Sequence, residues 1–226
     1  MAESARFKNR AHAGKLLAEE LGAKRANAAP RPDTIVLGLP RGGVPVGFAV
    51  AMALGLELDI LLVRKLGMPG QSEYAIGAVG SGGVQVLQPG VPGLMGITQA
   101  QVDAIAKREL AEIDRRQRLY RGERPEPVLS GRDVVLTDDG IATGSTMLAA
   151  VQVARRRGAA RVVVAVPVAP PETLAMLAPL ADQLVCLAAP ARFRAVSQWY
   201  DSFDQTSDEE VQDLLAMAWR SRADRP

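Results

Sequence analysis

The sequence predicts an α/β fold in which a mostly parallel central sheet carries helices on both faces. Short, unbroken runs of Val, Ile and Leu are typical of strands that are buried on both faces of a parallel sheet. These runs alternate with segments of helical periodicity, as they do in strand-helix-strand units. Although 48% of the 226 residues are hydrophobic, only 4% are aromatic, so aliphatic side chains fill most of the core.

The first half of the chain is predicted to hold a helix followed by a strand-helix-strand unit. Residues 5–21 place apolar side chains on one side of a helix, and residues 27–33, rich in Ala, Pro and Arg, form a linker. Residues 34–39 and 58–63 are apolar strands, and residues 44–54 form the helix between them.

The middle of the chain is predicted to add a small hood, built from residues 66–95 and the C-terminal tail. Two short strands at residues 75–79 and 84–87 are separated by a glycine-rich turn. Thr98 and Gln101 form a capping box that opens a long helix. The second half then repeats the alternation, with strands at residues 134–137, 162–167 and 184–187 and helices at residues 144–157, 172–180 and 208–220.

Composition argues against several classes of function. A net charge of +2, from 27 basic and 25 acidic residues, is too small to indicate nucleic acid or a membrane. The single cysteine, Cys186, cannot form a disulfide within the chain, and no His/Cys cluster suggests zinc. The single histidine and the lack of a G-x-S-x-G elbow argue against a Ser-His-Asp hydrolase. No signal peptide or membrane span is evident, so we expect a cytoplasmic protein.

One loop in the second half has the residues of a phosphate site. The strand at residues 134–137 delivers two adjacent carboxylates, Asp138 and Asp139, to its carboxyl end, where parallel sheets bind ligands. The next residues offer backbone N–H groups and hydroxyls at a helix N-terminus, an arrangement that suits a monophosphate. This predicted phosphate loop consists of Ala142, Thr143, Gly144, Ser145 and Thr146.

The two aspartates make chemical sense if the phosphate belongs to a sugar. Ribose 5-phosphate has vicinal hydroxyls near its phosphate, and each hydroxyl can donate a charge-assisted hydrogen bond to a carboxylate. The Walker sequence of nucleoside triphosphate loops is absent. An ordinary strand-turn-helix with a capping hydroxyl would explain the glycines and Thr146, but it would not explain the acid pair.

Residues 134–146 resemble the phosphoribosyl-pyrophosphate motif of the type I phosphoribosyltransferases at every position. That motif has four apolar residues, two acids, a short apolar stretch and Thr-Gly-x-Thr. Residues 40–43, Pro-Arg-Gly-Gly, are similar to the pyrophosphate loop of the same family. Residues 73–79 and 193–200 resemble a bacterial subgroup of predicted phosphoribosyltransferases.

The resemblance implies a type I phosphoribosyltransferase-like fold and a transferase activity. We expect one domain over residues 1–226, with its core at about 34–187 and hood elements at about 66–125 and 190–220. A nitrogen acceptor, expected to be a nucleobase, would displace pyrophosphate from C1 of 5-phosphoribosyl-1-pyrophosphate through an oxocarbenium-like transition state. Mg²⁺ would bridge pyrophosphate and the ribose hydroxyls, with Asp138 and Asp139 as its candidate protein ligands.

The resemblance also implies roles for individual residues. The phosphate loop would hold the 5-phosphate, and the acid pair would hold the 2′ and 3′ hydroxyls. The residues expected to contact pyrophosphate are Arg41, Gly42, Gly43, Arg64 and Lys65. Asp138, Asp139 and Lys65 are the candidate catalytic residues. Phe193, Trp199 and Tyr200 either stack on the acceptor or anchor the tail to the domain.

Two alternatives differ in kind from a transferase. Some members of this family are regulators that sense phosphoribosyl pyrophosphate and control nucleic acids, and the basic residues at 115–124 and 155–157 could serve that purpose. A solvated helix face is the simpler interpretation of those residues, so we do not expect a nucleic-acid partner. Hydrolysis of a phosphorylated sugar donor or nucleotide is a third function. We expect a homodimer and no membrane partner.

Two conformational expectations complete the hypothesis. Residues 66–74 contain no periodic apolar anchors, so we expect a mobile loop that closes over the bound donor and excludes water. The resemblance further implies a cis peptide bond between Pro40 and Arg41, which would aim backbone N–H groups at the pyrophosphate.

Overall fold

The computed structural model describes residues 6–23, 33–93 and 96–223, with backbone only for residues 72, 73 and 223. Most of the predicted linker at residues 27–33 therefore lies outside the described residues. The helices are α1 (Arg10–Ala23), α2 (Gly43–Leu54), α3 (Gln99–Arg121), α4 (Ser145–Arg156), α5 (Pro171–Leu177) and α6 (Asp208–Ala223). The strands are β1 (Ile35–Gly38), β2 (Glu57–Ile60), β3 (Val63–Met68), β4 (Gln71–Gly80), β5 (Val84–Leu87), β6 (Asp133–Thr137), β7 (Arg161–Val168) and β8 (Gln183–Ala188).

The central sheet confirms the predicted fold class. Its five strands pair in the order β2-β1-β6-β7-β8, and every pairing is parallel. The strand order changes direction between β1 and β6, where Gly38 lies opposite Thr137. Ligands of open α/β sheets bind at such a switch point, so the loops after these two strands frame the predicted site.

Alternate side chains of the sheet enter two separate cores, as the period of a strand requires. Val36 and Val135 pack with residues of α1, α2 and α6 on one face. Ile35 and Val134 pack with residues of α4 and α5 on the other face. Because both faces are covered by helices, every position of β1 and β6 is buried, which explains the apolar runs at residues 35–37 and 134–136.

The hood is a second sheet, in which β3, β4 and β5 pair in antiparallel order. The strands predicted at residues 75–79 and 84–87 are confirmed within β4 and β5. The core strand predicted at residues 58–63 is shorter than expected, because β2 ends at Ile60 and the chain then crosses into the hood. The hood contacts both α3 and α4, so it lies beside the helix that follows the phosphate loop.

The prediction that residues 66–74 form a loop is wrong, because most of this segment belongs to β3 and β4. Met68 pairs with Gln71 across a two-residue turn, so β3 and β4 form a hairpin here, with an irregular register between Leu66 and Met68. The loop assignment failed because it looked for periodic apolar anchors, whereas strands pair through backbone hydrogen bonds. The expected closure of this segment over the donor stays a prediction.

The N-terminal helix and the C-terminal tail are joined to each other. The Phe7 N–H donates to the Trp199 carbonyl at 2.8 Å, and the Asp201 N–H donates to the Phe7 carbonyl at 2.9 Å. The α1 helix packs mainly on α2, and α6 packs on α2, α3 and β2. Within the described part of the chain, no helix is both long and apolar enough to cross a membrane.

Candidate functional site

The loops that follow β1 and β6 contact each other directly. The Leu39 N–H donates to the Thr137 carbonyl at 2.9 Å, and the Thr137 hydroxyl donates to the Gly43 carbonyl at 3.1 Å. A Cβ atom at Gly43 would lie 2.4 Å from the Thr137 carbonyl oxygen, so only glycine permits this approach. The acid pair, which follows Thr137 directly, therefore lies beside the loop after Leu39.

The Asp139 carboxylate lies against the backbone of the first loop. A Cβ atom at Gly42 would lie 2.0 Å from Asp139 Oδ2. The peptide bond between Pro40 and Arg41 is cis, as the resemblance implied. An anion bound to this loop would approach a carboxylate, so a cation between the two would be favoured electrostatically.

Burial and mutual repulsion disfavour the charged form of the acid pair. Burial, followed by the charge of Asp139, raises the pKa of Asp138 well above its ordinary value. Burial also raises the pKa of Asp139, although the guanidinium of Arg10 opposes that shift. The Asp138 carboxylate accepts a hydrogen bond from the Asp139 N–H at 2.9 Å. Ribose hydroxyls or a cation would offset the repulsion between these two groups.

Arg10, which the sequence interpretation missed, is the cation that faces Asp139. Its Nε donates to Asp139 Oδ2 at 2.8 Å, and its Nη1 donates to the Asp204 carbonyl at 2.6 Å. Its guanidinium carbon lies 4.0 Å from the centre of the Phe203 ring, and the side chain is only 13% exposed. The sequence did hold one indication that Arg10 faces the protein interior, because it falls on the same face of α1 as the buried Leu17.

The tail aromatics support the anchoring interpretation of this segment. Tyr200 is buried, its hydroxyl donates to the Asp139 carbonyl at 2.5 Å, and its ring lies 5.4 Å from that of Phe7. Phe193 and Trp199 are half-buried in the same small cluster. Because the ring of Tyr200 is enclosed, it offers no face for a base, which favours the anchoring alternative over stacking for this residue.

The phosphate loop presents its polar groups to solvent and is supported from behind. Gly144 has φ of 79°, a left-handed conformation that few other residues adopt, and α4 begins directly after it. The hydroxyls of Thr143 and Ser145 lie 3.4 Å apart on the exposed side. The Thr173 hydroxyl of α5 donates to the Ala142 carbonyl at 2.7 Å and fixes the loop from within.

The basic residues that are predicted to bind pyrophosphate lie in two different parts of the structure. Nη1 of Arg41 lies 3.8 Å from Asp208 Oδ1, at the start of α6. Arg64 and Lys65 directly follow the core strand predicted at residues 58–63, but the structure places them within β3 of the hood. The Arg64 Nε donates to Glu109 Oε2 of α3 at 2.5 Å. Burial alone would raise the pKa of Glu109, but hydrogen bonds from Arg64 and Arg108 lower it.

A narrow cleft brings the first loop, the hood and the phosphate loop together. Pro40, Arg64 and Thr146 all line it. A larger groove of about 660 Å³ shares Arg64 with this cleft and lies between the β3–β4 hairpin and α3. Arg64 therefore stands between the loops of the predicted donor site and an open groove.

The acid pair fits a metal ion that arrives with a phosphorylated ligand. In the described ranges, no group of three or more His, Cys, Asp or Glu side chains could hold a metal. Mg²⁺ commonly binds one or two protein carboxylates together with substrate phosphates, so two aspartates beside an anion loop suffice. Asp138 and Asp139 are the residues that would contact such an ion.

Comparisons with known proteins show which family the chain resembles. The family model described as phosphoribosyl transferase domain matches residues 9–187. A Mycobacterium tuberculosis H37Rv protein that carries the provisional name of phosphoribosyl transferase is 48% identical over 218 residues, or 96% of this chain. The match covers 48% of that protein, so the chain spans about half the length of this curated relative.

Two solved structures are also similar to the chain. A crystal structure from Thermus thermophilus has 45% sequence identity and a TM-score of 0.84, and the match covers 94% of this chain and 98% of that one. A structure from Aquifex aeolicus, at 11% identity and a TM-score of 0.50, matches 82% of this chain and 76% of that one, and is similar in fold alone.

Proposed function

This chain belongs to the phosphoribosyl transferase family, and we propose that it transfers the 5-phosphoribosyl group of phosphoribosyl pyrophosphate to a nitrogen acceptor and releases pyrophosphate. One observation carries the proposal. The acid pair expected to hold the ribose lies against the loop expected to hold the pyrophosphate, with Asp139 packed on Gly42. A ligand that carries both groups can therefore span two contiguous loops.

The phosphate loop is the proposed site for the 5-phosphate. Backbone N–H groups at the start of α4 and the dipole of that helix favour a bound anion. The hydroxyls of Thr143, Ser145 and Thr146 are exposed and can donate to phosphate oxygens. Asp138 and Asp139 would then accept hydrogen bonds from the 2′ and 3′ hydroxyls.

The loop at residues 40–43 is the proposed site for pyrophosphate. Gly42 and Gly43 let the backbone approach the anion. Arg41 would supply positive charge from this loop, and Arg64 would supply it from the adjacent cleft. Lys65 is proposed to neutralise the charge that develops on the leaving pyrophosphate. Mg²⁺, when bound, would add charge stabilisation at the leaving group.

No covalent nucleophile is required for this reaction. The protein holds C1 of the ribose between the leaving pyrophosphate and the acceptor, and positioning and electrostatics lower the barrier. A developing cation at C1 would react with water in an open site. We therefore propose that the hood, through its β3–β4 hairpin, limits access of water to the donor.

The acceptor is proposed to bind in the groove between the hairpin and α3. That groove adjoins Arg64 and is lined by charged and polar groups of both elements, including Lys65, Gln101 and Arg108. We propose a nucleobase or another small nitrogen compound as the acceptor. The tail aromatics lie in a separate cluster with Phe7, so this groove is the better candidate.

A regulator that only senses the donor is less well supported. Several arginines of the two basic segments form ion pairs or ring contacts with other described residues, so they are less available to bind nucleic acid. Arg121 pairs with Asp59, Arg155 with Asp182, and Arg157 with Glu126. Arg124 stacks over the Trp219 ring, 4.5 Å from its centre.

A pyrophosphate-release assay tests the proposed activity. The protein, Mg²⁺ and phosphoribosyl pyrophosphate are incubated with purine, pyrimidine and other nitrogen acceptors. We expect acceptor-dependent release of pyrophosphate. Release without any acceptor would instead indicate hydrolysis, and donor binding without release under any condition would favour the regulator.

A further inference from the structure

Arg116 of α3 lies in the cleft that joins the first loop, the hood and the phosphate loop. It lines this cleft together with Pro40, Arg64 and Thr146. Among the described residues that line the cleft, none is acidic. Arg64 and Arg116 thus line the same narrow, largely apolar cleft as Pro40, which belongs to the loop that is proposed to bind pyrophosphate.

Carboxylates of α3 hold both of these arginines in place. The Arg116 Nε donates to Glu112 Oε1 at 2.7 Å, one helical turn earlier. Hydrogen bonds from Arg115 and Arg116 lower the pKa of Glu112 to about 2, so this acid stays ionised. Arg64 is held in the same way by Glu109. A guanidinium that is already positioned loses less freedom when it binds an anion.

Arg115 offers a direct contrast to its neighbour. It shares the partner Glu112, with bonds of 2.8 and 2.9 Å, but its side chain is 60% exposed and it does not line the cleft. The side chain of Arg116 is 33% exposed. An ion pair on a helix face accounts for both arginines, but it does not account for the place of Arg116 beside Pro40 and Thr146.

We propose that Arg116 is a pyrophosphate-binding residue of the donor site, contributed by the long helix rather than by the two loops. This inference rests on the proposed function, because it takes phosphoribosyl pyrophosphate as the ligand. Pyrophosphate carries several negative charges, and a planar guanidinium can bind its oxygens in bidentate fashion. Arg64 and Arg116 would contact it from the cleft that both residues line.

Two matched variants, Arg116→Gln and Arg115→Gln, test this inference. Binding of inorganic pyrophosphate, phosphoribosyl pyrophosphate and ribose 5-phosphate is measured by calorimetry with Mg²⁺. Arg116→Gln should weaken binding of both pyrophosphate-bearing ligands by about tenfold, the effect of one charge-assisted hydrogen bond. It should leave ribose 5-phosphate affinity unchanged, and Arg115→Gln should change none of the three. Arg116→Lys should recover part of the lost affinity, since lysine restores the positive charge but not the planar, bidentate geometry of a guanidinium.

Three other results would overturn the inference, and each has a different meaning. Unchanged pyrophosphate affinity in Arg116→Gln, or an equal loss in Arg115→Gln, would show that Arg116 has no specific role. An equal loss of ribose 5-phosphate affinity would indicate general damage to the site. If the wild-type protein bound neither pyrophosphate nor phosphoribosyl pyrophosphate, the proposed function would fail together with this inference.

Discussion

At the scale of single residues, the acid pair destabilises the free protein but provides the groups that are proposed to bind the ligand. Asp138 and Asp139 are adjacent, half-buried and mutually repulsive, and both have a raised pKa. Proteins commonly keep such groups where a ligand will later compensate for them. Asp139 already has a partial partner in Arg10, whereas the shift of Asp138 is dominated by burial and by Asp139.

Asp138→Asn should stabilise the free protein near neutral pH. A carboxyl group with a raised folded-state pKa contributes stability that is complete below its unfolded pKa and is lost as pH rises through the folded pKa. Removing the charge should therefore raise Tm by roughly 2–4 °C at about pH 7, the shift that about 1 kcal/mol produces in a chain of this length.

Thermal denaturation in chelator-containing buffer, across the acid and neutral range, measures this effect. The difference from wild type should vanish below the ordinary pKa of about 4, where both proteins are uncharged at this position. The exposed Asp213→Asn is the control and should leave Tm unchanged throughout. A lower Tm for Asp138→Asn at neutral pH would contradict the account.

Arg10→Met should destabilise the fold and disturb the donor site together. It removes the cation from the largely buried Asp139 carboxylate, as well as the bond to the Asp204 carbonyl. We expect a loss of roughly 2–4 kcal/mol in urea unfolding, since breaking a buried pair leaves an uncompensated charge. Arg6→Met, which removes an exposed arginine that bonds to the Gln198 carbonyl, should lose under about 1 kcal/mol. Equal losses in the two variants would mean that the Asp139 pairing contributes nothing specific.

At the scale of elements, one buried ion pair fastens the long helix to the sheet. The Arg121 Nε donates to Asp59 Oδ1 at 2.8 Å, and its Nη2 donates to the Ile60 carbonyl at 2.6 Å. Both side chains are only 2% exposed. Burial raises the pKa of Asp59, and Arg121 opposes that shift. The C-terminal end of α3 is thereby fixed to β2, while a capping box at Thr98 orders its beginning.

Arg121→Met should lower the free energy of unfolding by about 3–5 kcal/mol, because Asp59 would remain buried without its cation. Arg118→Met changes an exposed arginine on the same stretch of α3 and should lose under about 0.5 kcal/mol. Urea denaturation followed by circular dichroism distinguishes the two. A small loss in Arg121→Met would mean that apolar packing, rather than the ion pair, secures the helix.

Element prediction succeeded where the signal was local. The apolar runs of β1 and β6 and the Thr98-Gln101 capping box were each readable within a few residues, and all are confirmed. The hairpin at residues 66–74 was missed because strand pairing is a relation between two segments. A glycine- and proline-containing segment with little periodicity can still pair when its partner strand is next along the chain.

At the scale of the whole molecule, the candidate site draws on both ends of the chain. Asp139 contacts Arg10 of the first helix through its carboxylate, and Tyr200 of the tail through its carbonyl. The two loops with their own motifs could be predicted from sequence, because each motif is contiguous. Arg10, Arg116 and the enclosure of Tyr200 could not, because they depend on contacts between segments that lie far apart in the chain.

Donor binding to wild type and to the double variant Asp138→Asn/Asp139→Asn tests the central claim most directly. Calorimetric titration with phosphoribosyl pyrophosphate and Mg²⁺ should give a defined Kd for the wild-type protein. The double variant should bind at least about a hundredfold more weakly, since it loses two charge-assisted hydrogen bonds of roughly 1.5–3 kcal/mol each. Its circular dichroism spectrum should match that of the wild type. Equal affinity in the two proteins would contradict the assignment of the acid pair to the ribose.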